Sequence, residues 1–207
     1  MSGNLTRIAL LSLCLAVVAP ANAGVNAGGN AITLDEPAPV GTFSLRDHRG
    51  EAFTQDSLRG QWTLVLVGYT SCPDVCPYTL ANLQAVVEEA GLHLRPDDVP
   101  RVVLLAVDPE RDAPALADYV GHFGPRIVGV TGKRREIDVF VEGVDGAYRF
   151  GKRTAESDHY EVKHSATVAL VSPRGDLFAK LIPPFALAET ASYLAHTIRR
   201  FKQSAPQ

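Results

Sequence analysis

Hydrophobic positions along the chain change period from block to block, and each period predicts an element. Trp62 to Val67 (WTLVLV) is a nearly unbroken apolar run rich in β-branched side chains, the pattern of a central strand buried on both faces. Val102 to Val107 (VVLLAV) repeats that pattern, and Ile127 to Val130 predicts a short third strand. Between these runs the spacing becomes helical. Leu80, Leu83, Val87 and Ala90 recur at three and four residues, Gly91 ends the pattern, and Pro77 suits the first turn, where its missing N–H costs nothing. A second helix shows Leu116, Tyr119, Val120 and Phe123 on one face, with Asp112 as its expected cap. Ile137, Phe140, Val141 and Val144 predict a third, and Leu187, Ala191, Leu194, Ile198 and Phe201 a closing one. Two hairpins complete the pattern. One spans Phe43 to Phe53 around Arg49-Gly50, and in the other Ala166–Val171 and Leu177–Ile182 flank the turn SPRGD.

Strand–helix–strand–helix, followed by a hairpin and a terminal helix, is an α/β sandwich with a mixed central sheet. The order resembles the thioredoxin-like fold, with an N-terminal β-hairpin added. In that fold reactive cysteines sit where the first βα loop enters its helix. No internal repeat interrupts the series.

Composition narrows the function classes. The 207 residues suit one domain with a proper core, at 46% hydrophobic and 21% charged. A net charge of −3 gives no reason to expect nucleic acid as a partner, and no Lys/Arg run marks a polyanion site. At the N-terminus, MSGNLTR carries one positive charge, IALLSLCLAVVA is continuously apolar, and Ala21-Asn22-Ala23 is an A-x-A cleavage site. Residues 1–23 therefore read as a secretory signal peptide, with an uncleaved anchor as the alternative; the apolar run is well short of the roughly 20 residues that span a bilayer. Residues 24–38 read as a flexible leader and 39–203 as the folded domain. The expected location is exported: periplasmic, or anchored to the inner membrane facing the periplasm.

Of the three cysteines, Cys14 lies inside the apolar run and is lost on processing. The exported chain keeps Cys72 and Cys76, in GYTSCPDVCP at Gly68–Pro77. At a helix start both thiols feel free N–H groups and the positive end of the helix dipole, which favour thiolate. Four-residue spacing puts them on one helical face with Cβ atoms roughly 5–6 Å apart, close enough to converge on one soft cation or to form a disulfide. Soft thiolates select Cu(I), zinc or iron–sulfur centres, and two are too few for a cluster or a Cys₄ zinc site, so a third ligand is required. Six histidines are available. His164, just before the first strand of the late hairpin, is the foremost candidate and His159 its nearest rival. His48, His93, His122 and His196 read as solvated or hydrogen-bonded residues. Asp108, at the end of the second strand, either orients His164 from behind the ligands or simply makes a strand-end turn, with Arg111 paired to a carboxylate.

Together, GYTSCPDVCP, VDPERDAP and the histidine followed by Ser and a hairpin strand resemble the Sco family of copper-binding proteins. The similarity runs from about Phe43 to Phe201 and includes VGVTGKRREID and Tyr148-Arg149. The resemblance implies a thioredoxin-like fold and one copper ion, Cu(I) or Cu(II), bound by Cys72, Cys76 and His164. It also implies a part in delivering copper to, or preparing, the copper-site subunit of a cytochrome oxidase. Periplasmic copper chaperones and thioredoxin-like reductants are further expected partners. One departure is Lys163, where the family usually has Asp or another small polar residue before the histidine. The alternative function is a thiol–disulfide reductase that keeps the oxidase's cysteines reduced, with Cys72 and Cys76 as the redox-active pair. A peroxidase of the same superfamily is excluded, because Tyr69 and Pro73 stand where it would need Thr or Ser. A purely structural disulfide closing so small a loop would remove little chain entropy.

Overall fold

Eight strands line up in one mixed sheet in a computed structural model of the chain, which describes residues 30–152 and 160–204. The elements are β1 (Ala31–Pro39), β2 (Ser44–Asp47), β3 (Ala52–Thr54), β4 (Thr63–Gly68), α1 (Val75–Gly91), β5 (Arg101–Ala106), α2 (Pro109–Gly121), β6 (Ile127–Thr131) and α3 (Arg134–Gly143). They continue with β7 (Tyr148–Phe150), β8 (Val162–His164), β9 (Val168–Val171), β10 (Asp176–Leu181) and α4 (Leu187–Ser204). The large sheet runs β1-β10-β9-β4-β5-β6-β2-β3, while β7 and β8 form a separate antiparallel pair. β4, β5 and β6 are parallel neighbours, and β9 lies antiparallel against β4.

The two faces of the sheet bury different sets of side chains, as alternation along a strand requires. Leu64, Leu66 and Leu104 face a cluster that takes in Leu80, Leu83 and Val87 of α1, Leu116 of α2 and Leu194 and Ile198 of α4. Val65, Val67, Val103 and Leu105 face the opposite cluster, with Ile137 and Phe140 of α3 and with Phe43 and Phe53. There the Phe43 and Phe140 rings stack 4.1 Å apart. α3 closes tightly on the chain after β1: a Cβ on Gly143 would lie 2.0 Å from the Val40 carbonyl oxygen, so only glycine fits.

Both hairpins, the three parallel strands and the four helices lie where the apolar periods put them. Three expectations change. Residues 24–38 read as a flexible leader in the sequence, but Ala31–Pro39 is strand β1, antiparallel to β10 with Ala31 opposite Leu181 and Ala38 opposite Leu177. AITLDEPAP hides this strand because an edge position needs apolar residues on little of its length, and Asp35, Glu36 and Pro37 fall where the register breaks between Thr33 and Ala38. Asp112 is not the cap of α2. That place belongs to Asp108, and Asp112 lies fully buried in the helix's first turn. His164 ends β8, opposite Tyr148, and the hairpin strand β9 starts only at Val168. No helix among the described residues is long and apolar enough to cross a membrane. The signal reading of 1–23 and the rival His159 lie outside the described residues.

Candidate metal centre

β4 is buried at every position and delivers the chain to Gly68, at the end of the sheet where α1 starts. The residue type at Gly68 is fixed by what lies above it: a Cβ there would sit 2.9 Å from Cys76 Sγ and 3.1 Å from a Leu104 methyl carbon. The loop then turns through Tyr69 to Asp74, and α1 begins at Val75. Cys72 is half-buried on the loop, whereas Cys76, the second residue of the helix, is fully buried. Both are free thiols, and the Cys76 backbone N–H donates to Cys72 Sγ at 3.5 Å.

His164 reaches the same place from β8. Its Nε2 lies 3.3 Å from Cys76 Sγ, and its Nδ1 lies 3.0 Å from the Ser165 carbonyl oxygen. A carbonyl can only accept, so Nδ1 carries a proton, and in the neutral imidazole Nε2 is left with a lone pair facing the sulfur. The Tyr69 ring stands edge-on to the imidazole with centroids 6.0 Å apart. The donor atoms of Cys72, Cys76 and His164 all lie within 4.8 Å of one another, the one such group of three or more metal-ligating side chains among the described residues.

The two thiols are electrostatically unequal. Burial raises Cys72, but hydrogen bonds from the Asp74 and Cys76 N–H groups, with those from the Cys76 and Tyr69 side chains, outweigh it and leave the thiol below its ordinary value. Burial pushes Cys76 far above its ordinary value, and the nearby negative charges of Cys72 and Asp112 add to the rise. Cys72 is therefore the thiol that ionises first. A cation placed among the three donors would reverse the penalty at Cys76, because its charge favours the thiolate.

Asp108 makes no hydrogen bond to His164, whose Nδ1 meets the Ser165 carbonyl. The Asp108 carboxylate, 1% exposed, instead accepts from Arg111 Nε and from the Tyr160 hydroxyl, the turn-and-ion-pair alternative for this residue. His48 and His122 make backbone hydrogen bonds of their own, with Gly129 and Asp118. Sequence reasoning missed Tyr69, Tyr160 and the role of Asp112, whose carboxylate accepts from the N–H and hydroxyl of Thr70 at 2.8 Å each. The four-residue spacing of Asp108 and Asp112 was the available signal, and its helix-cap interpretation concealed it.

Residues 33–201 match the family model described as SCO1/SenC. The chain is 34% identical over 172 residues to the human "Protein SCO1 homolog, mitochondrial", covering 82% of the chain and 56% of the relative. It is 38% identical over 162 residues to the Bos taurus "Protein SCO2 homolog, mitochondrial", covering 77% and 58%. The chain thus spans little more than half the length of these two relatives. Among solved structures, Bradyrhizobium japonicum ScoI with copper bound is 32% identical with a TM-score of 0.64, covering 79% of this chain and 99% of that one. Arabidopsis thaliana ScoI with copper bound is 30% identical with a TM-score of 0.63, covering 79% and 98%. BsSco, described as a member of the Sco family of cytochrome c oxidase assembly proteins, is 18% identical with a TM-score of 0.62, covering 84% and 99%, and shares the fold. With a family match over most of its length, the chain belongs to the SCO1/SenC family.

Proposed function

We propose that Cys72, Cys76 and His164 hold one copper ion, and that the protein is an exported metallochaperone serving assembly of the copper centre of a respiratory cytochrome oxidase. The observation that carries this reading is the convergence of two sulfurs and an imidazole lone pair within 4.8 Å, with the His164 tautomer already set for binding through Nε2. Two thiolates favour soft Cu(I) over hard cations. The copper is cargo, and the unequal burial of the ligands suits its transfer. Cys76 and His164 form the inner seat, while the half-buried Cys72 is the ligand that an incoming thiolate meets first. Binding releases the thiol protons, so affinity falls at low pH. The acceptor would be the oxidase subunit that carries the copper site. Periplasmic copper chaperones would supply the ion, and residues 1–23 direct or anchor the chain outside the inner membrane.

A second reading has one observation in its favour. An accessible thiol with a lowered pKa beside a buried partner is the arrangement of an attacking and a resolving cysteine in a thiol–disulfide reductase. A Cu(I) titration of the reduced protein against a competing chelator separates the two. The metallochaperone reading expects one-to-one binding, abolished in Cys72→Ser/Cys76→Ser and weakened by at least about tenfold in His164→Ala. Weak binding that ignores His164 would remove the third ligand and leave the reductase.

A further inference from the structure

The two halves of the site come from parts of the chain far apart in sequence, and they meet directly where the Val162 N–H donates to the Tyr69 hydroxyl. The cysteine loop follows β4, and His164 ends a two-stranded ladder outside the main sheet. Both halves are tied to the first turn of α2, which supplies no ligand.

On the cysteine side, the buried Asp112 carboxylate takes two hydrogen bonds from Thr70, two residues before Cys72, and a third from the Asp108 backbone N–H. On the histidine side, Arg111 donates from Nη1 to the Tyr160 carbonyl, at the lead-in to β8, while its guanidinium lies 3.8 Å over the Tyr160 ring. The Tyr160 hydroxyl donates to Asp108, which also accepts from Arg111. The same guanidinium lies 5.6 Å from the ring centroid of Tyr69, and that ring abuts the His164 imidazole. Tyr69 in turn accepts the Cys72 N–H on its carbonyl. Arg111 is thus wedged between the tyrosine of one half and the tyrosine of the other.

We infer that the first turn of α2 is a clamp that sets the spacing of the metal-binding side chains, with Arg111 as the positioning residue that keeps His164 facing Cys76. A planar, permanently charged fork suits this position better than lysine, because it can bond Asp108 and the Tyr160 carbonyl while lying flat against a ring. Arg111 acts only through its neighbours, and the Tyr69 ring it lies against is the one that abuts His164, so the main effect of its loss should pass through that imidazole. The copper part of the test rests on the ligand reading proposed above; the metal-free part does not.

The test is a double-mutant cycle on the reduced, full-length protein, with Arg111→Met, His164→Ala and the pair combined. Cu(I) affinity should fall about tenfold to a hundredfold in Arg111→Met, the range for groups that orient a ligand. In the pair it should fall no further than in His164→Ala alone. Independent losses that multiply in the pair would overturn the inference. In parallel, solution NMR of the metal-free protein should show an NOE between the Tyr69 and His164 rings that disappears in Arg111→Met. Its persistence would also overturn the clamp, whether or not copper binds, whereas failure of the unmodified protein to bind copper would overturn the ligand reading alone. Should Arg111→Met not fold, Tyr160→Phe, which removes only the hydroxyl bonded to Asp108, replaces it in both measurements with the same expected outcomes.

Discussion

Gly68→Ala puts the smallest side chain into the back of the metal centre. The added Cβ would stand 2.9 Å from Cys76 Sγ and 3.1 Å from the Leu104 methyl carbon, against the about 3.5–4.0 Å at which such atoms rest. The Leu104 methyl can move by rotation, but Cys76 has one side-chain torsion and sits in the first turns of α1, so the sulfur must give by about 0.6 Å. That exceeds the about 0.2 Å tolerance of metal–ligand distances, so copper affinity should fall together with stability. Overpacking a well-filled core costs about 1–3 kcal/mol. At about 2–4 °C per kcal/mol for a chain of this size, Tm should drop by about 2–12 °C. Thermal unfolding and a Cu(I) competition titration, run side by side, check both effects. Gly121→Ala is the control, since a Cβ there meets nothing within 4 Å and replaces a helical glycine; it should leave copper binding unchanged. If Gly68→Ala keeps both the Tm and the affinity of the parent, the sulfur is not pinned against the strand end and the account of this glycine is wrong.

The inequality of the thiols makes a second prediction. Iodoacetamide added to the reduced, metal-free protein near neutral pH should label Cys72 and spare Cys76 until the protein unfolds, because only Cys72 combines access with a lowered pKa. Peptide mapping that found equal labelling would contradict it. A third prediction concerns acid stability. Asp98, in a short turn after α1, is raised by burial but held below the usual carboxylate range overall by hydrogen bonds and charge from Lys202 of α4 and from Arg95. A depressed carboxyl stabilises the fold fully above its unfolded value of about 3.9, and that contribution is lost as pH falls through the lower folded value. Lys202→Met should therefore lower stability by about 1 kcal/mol or less at pH 7, given the half-exposed lysine. The gap in Tm between variant and parent should close as pH falls below about 3.9, and a gap independent of pH would count against the pair.

Much of the fold could be read from the chain because buried parallel strands and amphipathic helices write strong periods. WTLVLV and VVLLAV are core strands on sight, and the spacing of Leu80, Leu83 and Val87 admits only a helix. β1, β7 and β8 were not legible for the opposite reason. They are edge or two-stranded elements with few buried positions, and their pairing depends on partners more than a hundred residues away for β1 and on a short ladder for β7 and β8. At the site, the cysteine pair announced itself by spacing, and His164 by its place before the late hairpin. Tyr69, Arg111 and Tyr160 did not, since an aromatic or an arginine gains meaning here only from what it stacks on. Asp112 misled because an aspartate near a helix start is usually a cap, whereas this one turns inward to hold a loop from another strand.

The register of β1 decides at which end of the sheet the N-terminal segment joins the fold. Ala31 stands opposite Leu181, Leu181 opposite Val168 and Val168 opposite Leu66, two residues short of Gly68. The chain thus joins the sheet at the end that carries Cys72, Cys76 and His164, not at the far end. If residues 1–23 stay in a membrane, the seven residues from 24 to 30 reach at most about 25 Å. The pole that carries Cys72, Cys76 and His164 would then be kept within about that distance of the lipid surface, rather than a sheet's length further away.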